Sequence, residues 1–132
     1  MATMKLNIVT PERNFFSGDV QGIKLKGPEG YFEVLPRHTD MVAAIVASEI
    51  RIIDSNGERR NAFASEGFVE VTKTKVSVVV DAAEWPEEID KGRYEAAMKR
   101  AEERLENKEV NDIGRAELAL KRAIARKKVK NF

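Results

Sequence analysis

Six arginines in the last third of the chain carry its most evident chemical capacity. Arg93 and Arg100 lie seven apart with Arg104 one turn on, and Arg115 and Arg122 lie seven apart with Arg126 one turn on. On two helices this spacing gives each a basic stripe. Guanidinium forks match the geometry of phosphate and carboxylate oxygens, so such stripes are suited to binding anions. Arg122 and Arg126 are the most telling pair. The positions three and four away from them, Leu118, Ala119, Ala123, Ala125, Val129 and Lys130, offer no carboxylate. Left unpaired, like charges one turn apart repel by about 0.2–0.5 kcal/mol. A bound anion relieves that repulsion, and so does a solvated tail; the spacing leaves both readings open.

Little else in the chain points to catalysis. It has no Cys and one His, which removes thiol chemistry, Cys/His zinc sites and most His-centred triads. The solitary His38, in Leu35-Pro36-Arg37-His38-Thr39, reads as a structural or surface residue. No phosphate-cradling Gly-x-x-x-x-Gly-Lys, Gly-x-Gly-x-x-Gly fingerprint or nucleophile elbow is present. The carboxylates mostly fall at ordinary helical ion-pair spacing, as in Glu95 with Lys99 and Glu117 with Lys121.

The elements that position the arginines follow from hydrophobic period. Up to about Asp81 apolar residues alternate: Met4, Leu6 and Ile8; Ile23 and Leu25; Ile50 and Ile52; Val76, Val78 and Val80. Turn signals separate these runs at Thr10-Pro11, Ser17-Gly18-Asp19, Gly27-Pro28-Glu29-Gly30 and Ser55-Asn56-Gly57-Glu58, and Asn56-Gly57 suits a type I′ hairpin. This pattern predicts an antiparallel β-sandwich of about eight to ten strands over residues 1–85. The composition then changes. Pro86 with Glu87 and Glu88 predicts a helix start, and Tyr94, Ala97, Met98, Ala101 and Leu105 follow at helical spacing. After a break from Glu106 to Asn111, with Asn111 or Asp112 as N-cap, the period resumes at Ile113, Ala116, Leu120, Ala123 and Ile124 up to about Lys128. Residues 86–132 thus form a two-helix antiparallel hairpin. Its Ala-rich stripe is thin, so the hairpin depends on the sandwich, a ligand or another subunit.

Charge is uneven. The whole chain carries +1, but residues 112–132 hold seven basic side chains against two acidic ones, a solvated face or a dock for an acidic partner or nucleotide. The longest apolar runs, Met41 to Ala47 and Val76 to Val80, fall far short of the roughly 20 residues needed to span a bilayer. Any membrane link must pass through a partner. No secretory signal opens the chain, so the expected setting is cytoplasmic.

Several segments together resemble the epsilon subunit of bacterial F-type ATP synthases. Ile89-Asp90-Lys91-Gly92-Arg93 resembles the Ile/Leu-Asp-x-x-Arg-Ala motif that opens their first C-terminal helix, with Tyr94 in place of Ala. Arg115-Ala116-Glu117-Leu118-Ala119-Leu120-Lys121-Arg122-Ala123 resembles their second helix. Glu29-Gly30-Tyr31-Phe32-Glu33-Val34-Leu35-Pro36-Arg37-His38 is similar to their Glu-Gly-x-x-Gly-Ile/Val-Leu-Pro-Gly-His loop, with Glu33 and Arg37 replacing Gly. Ala64-Ser65-Glu66-Gly67-Phe68-Val69-Glu70-Val71 is similar to their Gly-Gly-Phe-x-Glu-Val strand.

The resemblance implies a non-catalytic rotor subunit at the cytoplasmic face of the cell membrane, coupling a catalytic head to a proton-driven c-ring. Its sandwich is expected to pack on the gamma subunit, with Glu29, Gly30, Tyr31, Phe32 and His38 at the c-ring loops or gamma. Its hairpin is expected to switch between a docked form and an extended form that reaches the alpha and beta catalytic subunits and blocks ATP hydrolysis. ATP, with or without Mg²⁺, is implied as a regulatory ligand of the docked form, held by Glu84, Ile89, Asp90, Arg93, Arg100, Arg122 and Arg126. In that reading the arginines neutralise phosphates, Asp90 orients Arg93 and Glu84 accepts from the adenine or ribose. Tyr94 either stacks on the base or obstructs the pocket. No obligatory cofactor, metal or nucleic-acid partner is implied. The alternative is a small nucleic-acid-binding module with a basic C-terminal helix; near-neutral overall charge and the lack of a base-stacking aromatic pattern count against it.

Overall fold

A computed structural model describes residues 2–106 and 113–131. Nine strands precede two helices: β1 (Met4–Val9), β2 (Asn14–Gly27), β3 (Gly30–Val34), β4 (Met41–Ile45), β5 (Ser48–Asp54), β6 (Arg59–Ala64), β7 (Gly67–Val71), β8 (Lys75–Val80), β9 (Ala83–Glu84), α1 (Lys91–Glu106) and α2 (Ile113–Lys130). The order β4-β7-β8-β1-β2-β5-β6-β9, with β3 also on β2, makes one continuous sheet. It folds over at β2, whose first half pairs with β1 and whose second half pairs with β3 and β5, with a register irregularity between Val20 and Gly22. A bulge of this kind bends a strand and lets it serve two layers. The alternating residues read from the sequence fill the space between the layers: Leu6, Ile8, Ile23, Leu25, Ile50, Ile52, Val76 and Val78 are all buried there.

The antiparallel sandwich is therefore present, with one parallel pair. β1 runs parallel to β8, Leu6 opposite Val76 and Ile8 opposite Val78. Alternation along a strand is the same for either direction, so pattern alone does not distinguish them.

Turn chemistry differs from expectation at Asn56-Gly57. Gly57 has φ of +83° while Asn56 does not enter the positive region, so the turn is not type I′. Instead Asp54 organises it: its Oδ1 accepts from the N–H groups of Asn56 and Glu58, and its carbonyl accepts from Gly57 N–H. An acidic residue before the turn captured the free donors and gave a longer loop with a single left-handed glycine.

The helical half also starts later than Pro86. Residues Pro86–Glu88 form a single 3-10 turn, and α1 begins at Lys91. Asp90 is its N-cap, with Oδ1 accepting from the Arg93 N–H at 3.0 Å. The proposed break after Glu106 and the N-cap at Asn111 or Asp112 lie outside the described residues. α1 packs on α2, and α2 in turn lies on β5 and β6. Ala101, Ala116 and Ala123 are buried, as a close helix contact through small residues requires. Ile124, placed in that stripe by its spacing, is 48% exposed. Ala125 and Val129 take the inward positions and join Phe63, Ile89, Tyr94 and Ala123 in a second apolar cluster. The reason is that α2 has two neighbours, so its buried arc is turned toward the sandwich as well as toward α1.

Candidate functional site

A cleft of about 1020 Å³ opens between α1, the end of α2, β9 and the β1–β2 turn. Five of the seven residues singled out for nucleotide binding line it: Glu84, Asp90, Arg93, Arg100 and Arg126. Ile89 does not; it is buried in the apolar cluster beneath the hairpin. Arg122 does not either, and lies beside Glu66 and Asp81.

The pairing of these arginines is the main correction to the sequence reading. Arg122 and Arg126 are not left unpaired. Arg122 forms an ion pair with Glu66 and a longer one with Asp81 at 3.5 Å. Arg126 Nε donates to Glu84 Oε1 at 2.5 Å, and its guanidinium lies 4.3 Å over the Phe63 ring. Spacing along a helix sees only that helix, and here the carboxylates come from the sandwich and the connection after it. The repulsion between the two arginines is thus offset within the chain itself. Burial, followed by the neighbouring Arg126, lowers the Arg122 guanidinium from its ordinary value.

Other assigned roles shift accordingly. Glu84 is committed to Arg126. Asp90 orients Arg93 through its backbone N–H and not through the guanidinium. Arg93 and Arg100 are exposed, and neither makes an ion pair with a described residue, so they remain available to a ligand. Tyr94 is 2% exposed and packs with Ile89, Phe63 and Val129. Its ring face is therefore not offered for stacking. Of the ordinary helical pairs expected, neither Glu95 with Lys99 nor Glu117 with Lys121 is among the ion pairs of the described residues; Lys91 with Glu95, at 3.8 Å, is.

Sequence reasoning missed the sandwich side of the cleft. Thr10, Glu12 and Arg13 line it from the β1–β2 turn. Arg13 grips Glu88 through two hydrogen bonds of 2.7 and 2.8 Å and also donates to the Ala83 carbonyl at 3.1 Å. Glu88 Oε1 additionally accepts from Trp85 N–H. This pair fastens the turn between the two halves to the sandwich edge, and Trp85 stacks on Phe15 with centroids 4.3 Å apart while the Arg60 guanidinium lies 4.0 Å from the Trp85 ring centroid. The Arg13 hydrogen bonds hold the Glu88 carboxyl below its ordinary range, and Glu88 raises Arg13. Nothing in local spacing links positions 75 apart. Glu66 carried a weak signal, as a charge between buried Ser65 and the start of β7.

The residues expected to meet partner subunits lie on and after the β2–β3 hairpin. Glu29 lies in its two-residue turn with Pro28, and Gly30 opens β3 at φ of +134°. Tyr31 is 39% exposed on β3, whereas Phe32 packs against the sandwich core. His38 lies on the next loop, its Nδ1 2.8 Å from the Thr39 carbonyl. Arg37 adopts φ of +67°, the only non-glycine with positive φ among the described residues. An arginine thus holds a left-handed conformation that glycine adopts without strain.

Among the described residues no group of three or more His, Asp or Glu side chains could hold a metal ion, and no helix is long and apolar enough to cross a membrane. The fold and cleft define a β-sandwich bearing a docked helical hairpin, with cationic binding groups between the two. Residues 3–86 match the family model for the β-sandwich domain of the ATP synthase delta/epsilon chain, and residues 87–131 match its long α-helix domain. The ATP synthase epsilon chain of Clostridium novyi (strain NT) is 49% identical over 94% of this chain and 95% of its own length. That of Clostridium botulinum (strain Hall) is 44% identical over 96% of each. A chain in the Euglena gracilis mitochondrial ATP synthase structure with OSCP, F1 and c-ring superposes with a TM-score of 0.86 over 97% of this chain and 81% of that one, at 20% identity, a likeness of fold. The chain belongs to the ATP synthase delta/epsilon family, as an epsilon chain of the bacterial F-type.

Proposed function

We propose that this chain is a non-catalytic central-stalk subunit of a proton-translocating F-type ATP synthase, held at the cytoplasmic face of the membrane by its partner subunits. Family membership supports this reading over a nucleic-acid-binding module. The sandwich is the anchor on gamma, and Glu29, Gly30 and Tyr31 at the β2–β3 turn, with His38 on the loop after β3, meet the c-ring loops or gamma. The hairpin regulates: docked, it leaves the catalytic alpha and beta subunits free; extended, it reaches them and stops ATP hydrolysis.

One observation carries the regulatory part. The hairpin is held on the sandwich by ion pairs from Arg122 and Arg126 together with a small apolar cluster whose aromatics are Tyr94 and Phe63. Such a contact can open without unfolding the sandwich. ATP suits the docked form because Arg93 and Arg100 face the cleft without an ion pair to any described residue and match phosphate oxygens. Arg126 joins them only by exchanging Glu84 for phosphate, and Arg122 by exchanging Glu66 and Asp81. Nucleotide therefore tunes a latch that already exists, and it shifts the equilibrium only by its difference in affinity for the two forms.

Because the chain has no cysteine, Ser55→Cys with Lys127→Cys gives two exposed labelling sites, one on the sandwich and one on α2. Distance distributions are then measured for the full chain alone, with ATP, and assembled with gamma and the catalytic subunits. A short distance that ATP sharpens and assembly without ATP lengthens is expected. An unchanged distance in all three states rules out the switch.

A further inference from the structure

A second cleft, of about 420 Å³, lies where α2 crosses the β2–β3 turn and the start of β5. It shares no lining residue with the arginine cleft. Its walls are apolar, with Pro28, Val46 and Ala47 from the sandwich and Ile124 and Ala125 from α2, closed on one side by Tyr31. Ile124 and Tyr31 are both among the large apolar groups left open to solvent.

The rim is basic. Lys26, Lys121 and Lys128 line it, and the ammonium groups of Lys24, Lys26 and Lys128 stand 4.5, 5.4 and 5.7 Å from the Tyr31 ring centroid. Several cations converging on one ring gain from its quadrupole but repel each other, a state that an anion stabilises. The floor supplies polar groups. Ser48 is 4% exposed and its hydroxyl has no hydrogen-bond partner among the described residues; the same holds for Glu49 Oε2. A buried polar atom without a partner is unfavourable, so the cleft is left with a donor that an entering polar group can satisfy. The Glu49 carboxylate repels an acid at the floor and directs it to the lysine rim.

We propose that this cleft binds a small amphipathic organic anion, with an apolar or aromatic body between Ile124 and Tyr31 and a phosphate or carboxylate head on Lys26, Lys121 and Lys128. Shape and polarity agree with that class: an apolar slot of a few hundred cubic ångströms with a small number of converging polar groups. The site has a consequence for the hairpin. Lys26 and Tyr31 belong to the sandwich and Lys121, Ile124 and Lys128 to α2, so an occupant bridges the two and favours docking, independently of the arginine cleft.

Phenyl phosphate is the probe, titrated into the full chain with inorganic phosphate and phenol as separate arms, and followed by NMR of the Ile124 methyl and Tyr31 ring signals. Saturable binding of phenyl phosphate at least tenfold tighter than either fragment is expected, and excess ATP does not weaken it. A Lys26→Gln/Lys128→Gln variant and a Tyr31→Ser variant should each weaken it at least tenfold with an unchanged unfolding midpoint. Equal binding of inorganic phosphate means diffuse attraction to surface lysines and overturns the proposal. So do displacement by ATP, shifts confined to residues around Arg93 and Arg100, and the absence of saturable binding.

Discussion

Arg126 of α2 donates to Glu84 of β9 at 2.5 Å while its guanidinium covers the Phe63 ring of β6 at 4.3 Å. One side chain thereby ties the hairpin to two strands of the sandwich, through charge and through apolar contact together. Removing one partner of such a part-buried pair costs about 1–3 kcal/mol, since the other charge is left beside an apolar cluster. Arg126→Ala should therefore speed hydrogen exchange of α2 amides by about 5- to 150-fold while β7 and β8 stay protected. A Glu84→Arg/Arg126→Glu exchange should recover part of the protection. Equal α2 exchange in wild type and Arg126→Ala would show that the pair is not a latch.

The Arg13 to Glu88 pair gives the fold an acid-sensitive fastening. Its folded-state carboxyl lies below the ordinary value because of the Arg13 hydrogen bonds and then the Trp85 N–H. The contribution is thus complete above the unfolded value, about 4.3, and is lost as pH falls through the lower folded one. The side chains are 43% and 35% exposed, so the effect belongs in the range of about 0.2–1 kcal/mol for solvent-screened pairs. Urea unfolding at pH 6 and near pH 3 should show Glu88→Gln losing less stability on acidification than wild type. A loss equal in the two proteins would assign the acid response elsewhere.

These two pairs also mark where sequence stopped being informative. Strand alternation placed Leu6, Ile8, Ile50, Ile52 and Val78 in the core because period 2 is a local property, and Ala-rich helical period found the hairpin for the same reason. The orientation of α2 was not local: Ile124 and Ala125 differ by 100° on a helix, and only the sandwich decided which of them turned inward. In the cleft, spacing identified Arg93, Arg100, Arg122 and Arg126 as chemically loaded but said nothing about Glu66, Asp81 or Glu84 as their partners. A carboxylate far along the chain is invisible to an i, i+4 rule.

Arg37 holds φ of +67° in the loop between β3 and β4. A left-handed conformation costs an L-residue with a Cβ about 1–2 kcal/mol, and glycine adopts it freely. Glycine gives back part of that gain through the wider freedom of the unfolded chain. Arg37→Gly should accordingly stabilise the sandwich by about 0.5–1 kcal/mol in denaturant unfolding, whereas Arg37→Ala, which keeps the Cβ, should not. If both variants behave alike, backbone strain is not what Arg37 brings to the loop. If Arg37→Gly alone stabilises the sandwich, the arginine contributes through its side chain, and binding of the full chain to gamma and the c-ring should weaken in both variants.

Tyr94 separates packing from polarity within one side chain. Its ring is buried against Ile89, Phe63 and Val129, and its hydroxyl has no hydrogen-bond partner among the described residues. An unpartnered buried hydroxyl is unfavourable, so Tyr94→Phe should leave hairpin docking unchanged or strengthen it by up to about 1 kcal/mol. Tyr94→Ala empties the largest group of the cluster, and truncations of this size cost about 3–5 kcal/mol, enough to release the hairpin from the sandwich. Hydrogen exchange of α1 and α2 distinguishes the cases: slower or equal for Phe, fast for Ala. Because Tyr94 also lines the arginine cleft, the Phe variant should be titrated with ATP as well. A weaker affinity with intact docking would show that the phenol finds its partner in the ligand; an unchanged affinity would restrict Tyr94 to holding the hairpin down.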